Sequence, residues 1–185
     1  MATNRLTATI LDFNAPLPPT LYWDASFIVN FSHADSVFHA DSVAFLARLK
    51  ESTTFSFVST LALDEAWFAI LQAFVARDYA PRKFWKVYLE NPEVILRYLD
   101  RLDALTTDIY NQPQIRVLGT TRHVPLDALK NMRQYFFLPR DAMHLAVMRQ
   151  RRITNVVTTD ADFQVVGGIA VFTCNPSLLG RTVTD

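Results

Sequence analysis

Pro139–Cys174 reads PRDAMHLAVMRQRRITNVVTTDADFQVVGGIAVFTC, and its pattern decides the class of fold. An amphipathic helix opens on Asp141. A short β-branched run, Asn155-Val156-Val157-Thr158-Thr159, follows and stops at Asp160-Ala161-Asp162-Phe163. After Gly167-Gly168 a second apolar run covers Ile169–Thr173. A helix–strand–turn–strand unit of this kind belongs to a parallel α/β sheet. One carboxylate stands at the mouth of the helix and two lie just past the end of a buried strand, where open α/β sheets place their sites.

The remainder of the chain supplies the scaffold. With 185 residues, half of them hydrophobic and 12% aromatic, it can bury one sizeable core. A single cysteine, Cys174, ends an apparent core strand and excludes an internal disulfide, so a cytoplasmic location is expected. The N-terminus lacks the apolar core of a signal peptide. The most apolar segment, Ala66–Ala76, is too short to span a bilayer and is interrupted by Gln72. No membrane association is expected.

Net charge is zero. Its distribution is uneven: Arg116–Arg152 carries eight Lys/Arg against Asp127 and Asp141, while Leu89–Ile115 carries five acids against Arg97 and Arg101. Such a basic segment fits a polyanion-facing surface or a solvated helix face.

Taken in order, residues 1–19 read as an extended, Pro-rich lead-in and 20–177 as one α/β domain, with 178–185 as a tail. Within the domain, Leu21-Tyr22-Trp23 is a strand ending at Asp24, and Ala25–Phe31 a helix entered directly from it. Ser42–Lys50 has helical spacing and Phe55–Ser59 alternates as a strand. From Thr60 a helix carries Leu63, Trp67, Ile70 and Phe74 on one face. Two further helices, Pro81–Leu89 and Pro92–Tyr110, are expected, the second capped by Asn91. Gln114–Gly119 is a strand and Leu126–Phe136 a helix. Residues 78–122 thus form a helical insertion in a mostly parallel α/β domain.

With parallel strands, Asp24, Glu65, Asp141, Asp160 and Asp162 gather near the carboxyl edge of one sheet. Each acid alone has an ordinary explanation, as an N-cap for Asp24, a helix-dipole partner for Asp141, or turn residues for Asp160 and Asp162. Coincidence of all of them at one edge is the weaker account. Crowded carboxylates repel, and a divalent cation makes them tolerable. All-oxygen ligands favour Mg²⁺ or Mn²⁺, which can activate water and stabilise a phosphoryl oxygen. Metal-assisted phosphodiester hydrolysis is the chemistry implied. Asp64 neighbours Glu65 but lies about a quarter turn round the helix, so only one can face the site.

Four motifs carry a family resemblance. Tyr22-Trp23-Asp24-Ala25-Ser26-Phe27-Ile28, Asp64-Glu65-Ala66, Asp141-Ala142-Met143-His144-Leu145-Ala146 and Thr158-Thr159-Asp160-Ala161-Asp162-Phe163 resemble those of PIN-domain ribonucleases, the family containing VapC-type toxins. Asn175-Pro176 falls near the usual end of that fold. The resemblance implies Asp24, Glu65, Asp141 and Asp160 as catalytic metal ligands and Asp162 as an auxiliary one. It makes the Ser26 and Thr159 hydroxyls outer partners of the ligands. It further implies Mg²⁺ or Mn²⁺, cleavage of single-stranded RNA, a homodimer, and an antitoxin protein blocking the site. The departure is the long helical stretch Arg77–Arg122.

Arg140 is a candidate phosphate contact. His144, one turn after Asp141, reads as a ligand, a proton carrier or a locally bonded helix residue. The aromatic clusters Trp67/Phe68/Phe74 and Phe84/Trp85/Tyr88 fit base stacking, core or dimer interface. Two other functional classes compete. A catalytically silent RNA- or protein-binding scaffold would not need every acid, and an aspartyl-phosphate enzyme would want Asp-x-Asp where Asp24-Ala25-Ser26 stands.

Overall fold

A computed structural model of the chain describes residues 7–180. Six strands form one sheet: β1 (Thr9–Asp12), β2 (Thr20–Trp23), β3 (Phe55–Ser59), β4 (Ile115–Leu118), β5 (Asn155–Val157) and β6 (Ala170–Thr173). Their order is β1-β6-β5-β2-β3-β4, and every pairing is parallel. Parallel neighbours need crossover connections, which here are helical apart from the short link between β5 and β6. These helices are α1 (Ala25–Ser32), α2 (His39–Glu51), α3 (Thr60–Asp78), α4 (Phe84–Glu90), α5 (Leu99–Asn111), α6 (Val124–Tyr135) and α7 (Pro139–Gln150).

Alternation along β2 divides the core. Leu21 and Trp23 point into a cluster with Phe27, Phe45 and Ala62. Tyr22 points the other way, into a cluster with Leu145 and Ala146 of α7 and Ala128 of α6. Val156 and Val157 of β5 separate in the same manner. The sheet is thus covered on both faces, as parallel sheets require. Gly168 adopts φ 80° in the turn before β6, a conformation that favours glycine.

From β2 the chain steps to β3 and β4 on one side, then crosses to β5 and β6 on the other. That reversal makes the crevice between the carboxyl ends of β2 and β5 the topological switch point. Asp24 follows β2 directly, and its N–H donates to the Val157 carbonyl at 3.1 Å. Asp160 follows β5 by three residues.

Two expectations change. Within the stretch read as lead-in, Thr9–Asp12 pairs with Ala170–Thr173 and forms an edge strand. Residues 1–6 and 181–185 of the expected lead-in and tail lie outside the described residues. The helix expected over Pro92–Tyr110 is broken: Pro92–Tyr98 is a 3₁₀ helix and α5 begins only at Leu99. Asn91 offers no side-chain cap there. Instead, packing fixes the segment, since Val94, Tyr98 and Leu102 bury against Ile70, Phe74 and Val75 of α3. The insertion therefore covers the apolar flank of α3, which would otherwise face solvent.

Several cations of the basic segment have local partners. Arg116 lies over Phe55 at the β3–β4 side of the sheet, Lys130 pairs with Asp127, and Arg149 binds Asn131 and Tyr135. Asn131 is the notable partner. It is 1% exposed, its Nδ2 donates to the Ala142 carbonyl at 2.9 Å, and its Oδ1 accepts from Arg149 at 2.5 Å. It thereby ties α6 to the helix that carries Asp141. Asn131→Ala removes both bonds from a buried position, so a loss of about 1–3 kcal/mol is expected. Urea unfolding checks this, and an unchanged midpoint would show that the tie contributes nothing.

Candidate metal-binding active site

Asp24 caps α1, and its carboxylate is held on one side only. Oδ2 accepts from Ser26 Oγ at 2.8 Å and from Thr158 Oγ1 at 2.8 Å, with Ser26 N–H at 3.4 Å. Thr158 Oγ1 also accepts from the Asp160 N–H at 3.0 Å. One hydroxyl thus links the first acid to the backbone of the fourth. Oδ1 faces inward, 3.8 Å from His144 Nε2.

Glu65 occupies the second turn of α3, whose N-cap is Ser59. Asp64 is exposed and turned away, so Glu65 is the residue that faces the site. Its Oε1 lies 3.3 Å from His144 Nε2 and 3.8 Å from Arg140 Nε. Neither Glu65 Oε1 nor His144 Nε2 completes a hydrogen bond of good geometry. The imidazole is fully buried, and its Nδ1 is 2.6 Å from the Tyr22 hydroxyl. That hydroxyl is also 2.6 Å from Ser59 Oγ, which accepts from the Ala62 N–H at 3.0 Å.

Asp141, Asp160 and Asp162 complete the group. Each places a carboxylate oxygen within 4.8 Å of the others, Asp141 partly buried and the other two exposed. The Asp162 N–H donates to Asp160 Oδ1 at 3.3 Å, which folds the Asp160-Ala161-Asp162 turn back on itself. Burial, then the charges of Asp162, Asp160 and Asp24, push the Asp141 carboxyl up to about 6. Asp160 is raised by burial and by Asp162. His144 is raised too: burial opposes its charge, but the Glu65 carboxylate 3.3 Å away and the charges of Asp24 and Asp141 outweigh it.

Measured against the sequence, all five acids reach one edge, in two groups. Asp141, Asp160 and Asp162 form the tight trio, so Asp162 stands as close as the expected ligands. Asp24 and Glu65 lie beside it, with His144 between them. The outer hydroxyls are Ser26 and Thr158. Thr159, the expected one, turns its Oγ1 to accept from Asn30 Nδ2 at 2.9 Å, and offers Ser26 only its N–H. Asn175 Nδ2 holds the Thr159 carbonyl at 2.8 Å. Tyr22, Ser59 and Thr158 were missed by sequence reasoning. The signal for Tyr22 was its place on the strand face opposite Leu21 and Trp23, and for His144 its i+3 spacing from Asp141.

A parallel α/β domain with an acidic switch point is the class this geometry defines. The chain belongs to the PIN domain family, whose family model matches residues 21–169. Among solved structures, the Mycobacterium tuberculosis toxin VapC20, described as cleaving the sarcin–ricin loop, is similar in fold. Its TM-score is 0.56 at 18% identity, over 80% of this chain and 96% of that one. Rickettsia felis VapBC2 bound to a promoter DNA fragment aligns with TM-score 0.49 at 9% identity, over 83% and 98%. No curated protein matches the sequence.

The raised acids give a signed pH dependence. Because Asp141 binds its proton more tightly folded than unfolded, its contribution to stability is full below the ordinary carboxyl value. It is lost as pH rises through about 6. His144 acts in the same direction, its contribution being present below its ordinary value and lost as pH rises through the higher folded one. In EDTA the melting temperature should therefore fall between about pH 4 and about pH 6 as the Asp141 contribution is lost, and less steeply in Asp141→Asn. A cation competes with the proton on Asp141, so Mn²⁺ should raise the melting temperature at about pH 7 and little at about pH 5. Thermal melts across pH, with and without Mn²⁺, measure both. A slope identical in Asp141→Asn would place the titrating group elsewhere.

Proposed function

We propose that the protein is a Mg²⁺- or Mn²⁺-dependent endoribonuclease that hydrolyses phosphodiester bonds of single-stranded RNA. The observation that carries this reading is the trio Asp141, Asp160 and Asp162 beside Asp24 and Glu65, at the switch point of a PIN domain. The donor set fits the ion, since every candidate ligand is a carboxylate oxygen and hard cations prefer such ligands. Asp141, Asp160 and Asp162 would hold it, with Asp24 Oδ1 and Glu65 facing the same space. The ion would supply a nucleophilic water at neutral pH and stabilise charge on a phosphoryl oxygen.

The chain's own groups divide the remaining work. Asp141 or Asp160 would help orient or deprotonate the attacking water. Arg140 stands half-exposed at the mouth, 3.8 Å from Glu65, and can turn its guanidinium to a substrate phosphate. Asp24 is oriented by the Ser26 and Thr158 hydroxyls. The description of VapC20 as a toxin that cleaves a specific loop supports an endonucleolytic role, and the toxin of a type II toxin–antitoxin pair is the biological setting proposed. Leu138, exposed next to Arg140, offers an antitoxin segment an apolar contact across the acidic mouth. Among the described residues no helix is long and apolar enough to cross a membrane. A cytoplasmic site of action is proposed with the rest.

The proposed homodimer rests on the insertion. Ile70, Phe74 and Val75 of α3 are buried within the chain against Val87, Val94, Tyr98 and Leu102 of the insertion. Trp85, Leu89, Leu96 and Leu99 remain exposed on the insertion and offer the surface instead. Light scattering at high micromolar concentration should give twice the chain mass, and Leu89→Glu with Leu96→Glu should give the single chain. A wild-type monomer would dispose of the dimer.

Cleavage provides the main test. Purified protein should cut unstructured RNA with Mn²⁺ or Mg²⁺, stop on addition of EDTA, and lose about 100-fold or more of its rate in Asp160→Asn. Asp103→Asn, an exposed acid of α5, should cut normally. Undiminished cutting in EDTA, or no cutting with any divalent metal, would sink the reading.

A further inference from the structure

We propose that His144 is a positioning residue that fixes the Glu65 and Asp24 carboxylates for metal binding through its Nε2–H, and that Tyr22 fixes His144. The inference rests on the metal-site reading above. It starts from burial: the imidazole is 1% exposed in a region otherwise lined by Leu145, Ala146 and other apolar groups. A polar ring so placed needs partners at both nitrogens.

At Nδ1 the partner is complete, the Tyr22 hydroxyl at 2.6 Å. Tyr22 is itself fully buried, and burial pushes its phenol far above the ordinary value, so the hydroxyl keeps its proton. It has a second neighbour, Ser59 Oγ at 2.6 Å, anchored to the first turn of α3 through the Ala62 N–H. The Tyr22 hydroxyl can donate to Nδ1 when the ring is neutral, or accept from Nδ1 when the ring is charged. In both states Nε2 carries hydrogen, because a bare nitrogen facing two carboxylates would be repelled.

At Nε2 the partner is shared. Glu65 Oε1 at 3.3 Å and Asp24 Oδ1 at 3.8 Å both lie within its field, and neither bond is complete. The Nε2 edge of the ring therefore faces both the Asp24 carboxylate, just past β2, and the Glu65 carboxylate of α3. This is the arrangement of a group that holds two ligands apart yet aimed the same way. It also closes a circuit. Tyr22 is two residues before Asp24, Ser59 caps the helix of Glu65, and His144 is one turn beyond Asp141. Three acid-bearing elements thus meet at one imidazole. Residues that orient metal ligands in this manner change metal affinity by about 10–100-fold when replaced.

Two replacements separate the ends of the ring. In His144→Gln the amide nitrogen reaches roughly where Nε2 stood and keeps the donor to the acids. In His144→Asn the shorter amide stays near the Nδ1 position and serves Tyr22 alone. Both bury one polar amide. Mn²⁺ affinity by titration calorimetry is expected to stay within about threefold of wild type in Gln and to fall about tenfold or more in Asn. Tyr22→Phe, which keeps the buried ring and removes the hydroxyl, should lie between them and serves if the Asn protein does not fold. With RNA at saturating Mn²⁺, cutting by the Asn variant should recover most of its loss, since the acids themselves are intact.

Equal affinity in wild type and Asn, or equal loss in Gln and Asn, would overturn the role of Nε2. If Asn does not fold, wild-type affinity in Tyr22→Phe overturns it. Should wild type bind no Mn²⁺ at all, the metal-site reading falls and this inference with it; the other outcomes leave that reading standing.

Discussion

Like charges held together are the constraint on which this structure depends. The folded chain brings Asp24, Glu65, Asp141, Asp160 and Asp162 to one sheet edge, where burial and, after it, mutual repulsion raise the Asp141 and Asp160 carboxyls. Local geometry alone would not hold them, because the acids arrive from four separate segments. The parallel sheet does it: β2 and β5 are neighbours, so residues following each emerge side by side. Registry between these strands is then a functional quantity. A slip of one residue would turn Tyr22 away from His144 and carry Trp23 into its place.

The acids are held by two different means. Asp24 is gripped by two hydroxyls and has a defined orientation, and Glu65 is directed by a buried imidazole. Asp141, Asp160 and Asp162 are more exposed and rely on a helix start and a tight turn. Rigid partners set one wall of the site while the trio keeps freedom to adjust around an ion. Water still screens the trio, while Asp24 on the buried wall is relieved by its two hydroxyl donors. An arrangement with the reverse distribution would leave Asp24 both buried and unpartnered, a costly state for a carboxylate.

The fold was legible in the sequence wherever period and punctuation agreed. Thr60–Asp78 has both a Ser59 cap and an apolar stripe, and the helix appears as expected. Thr9–Asp12 was not legible as a strand. It is four residues long, follows a polar terminus and precedes a Pro-rich run, and its edge position is fixed only by long-range pairing with β6. The break at Pro92–Tyr98 had the same origin. A continuous stripe concealed it, and contacts with Phe74 and Val75 decided it.

At the site, residue type was easier to read than orientation. An acid past a strand end announces itself, whereas the choice between Thr158 and Thr159 depends on how the strand finishes its last alternation. β5 stops at Val157, and the chain then turns so that Thr158 is fully buried against Asp24 while Thr159 faces Asn30. His144 poses the same difficulty in a helix. Its spacing from Asp141 put it on the right face, but an imidazole on that face serves equally as ligand, proton carrier or core residue. What distinguishes these roles is the Tyr22 hydroxyl at Nδ1, and Tyr22 lies 122 positions away in sequence. A contact of that range becomes visible only when β2 and α7 are packed together. The apolar alternation that buries Tyr22 thus also determines what the histidine can do.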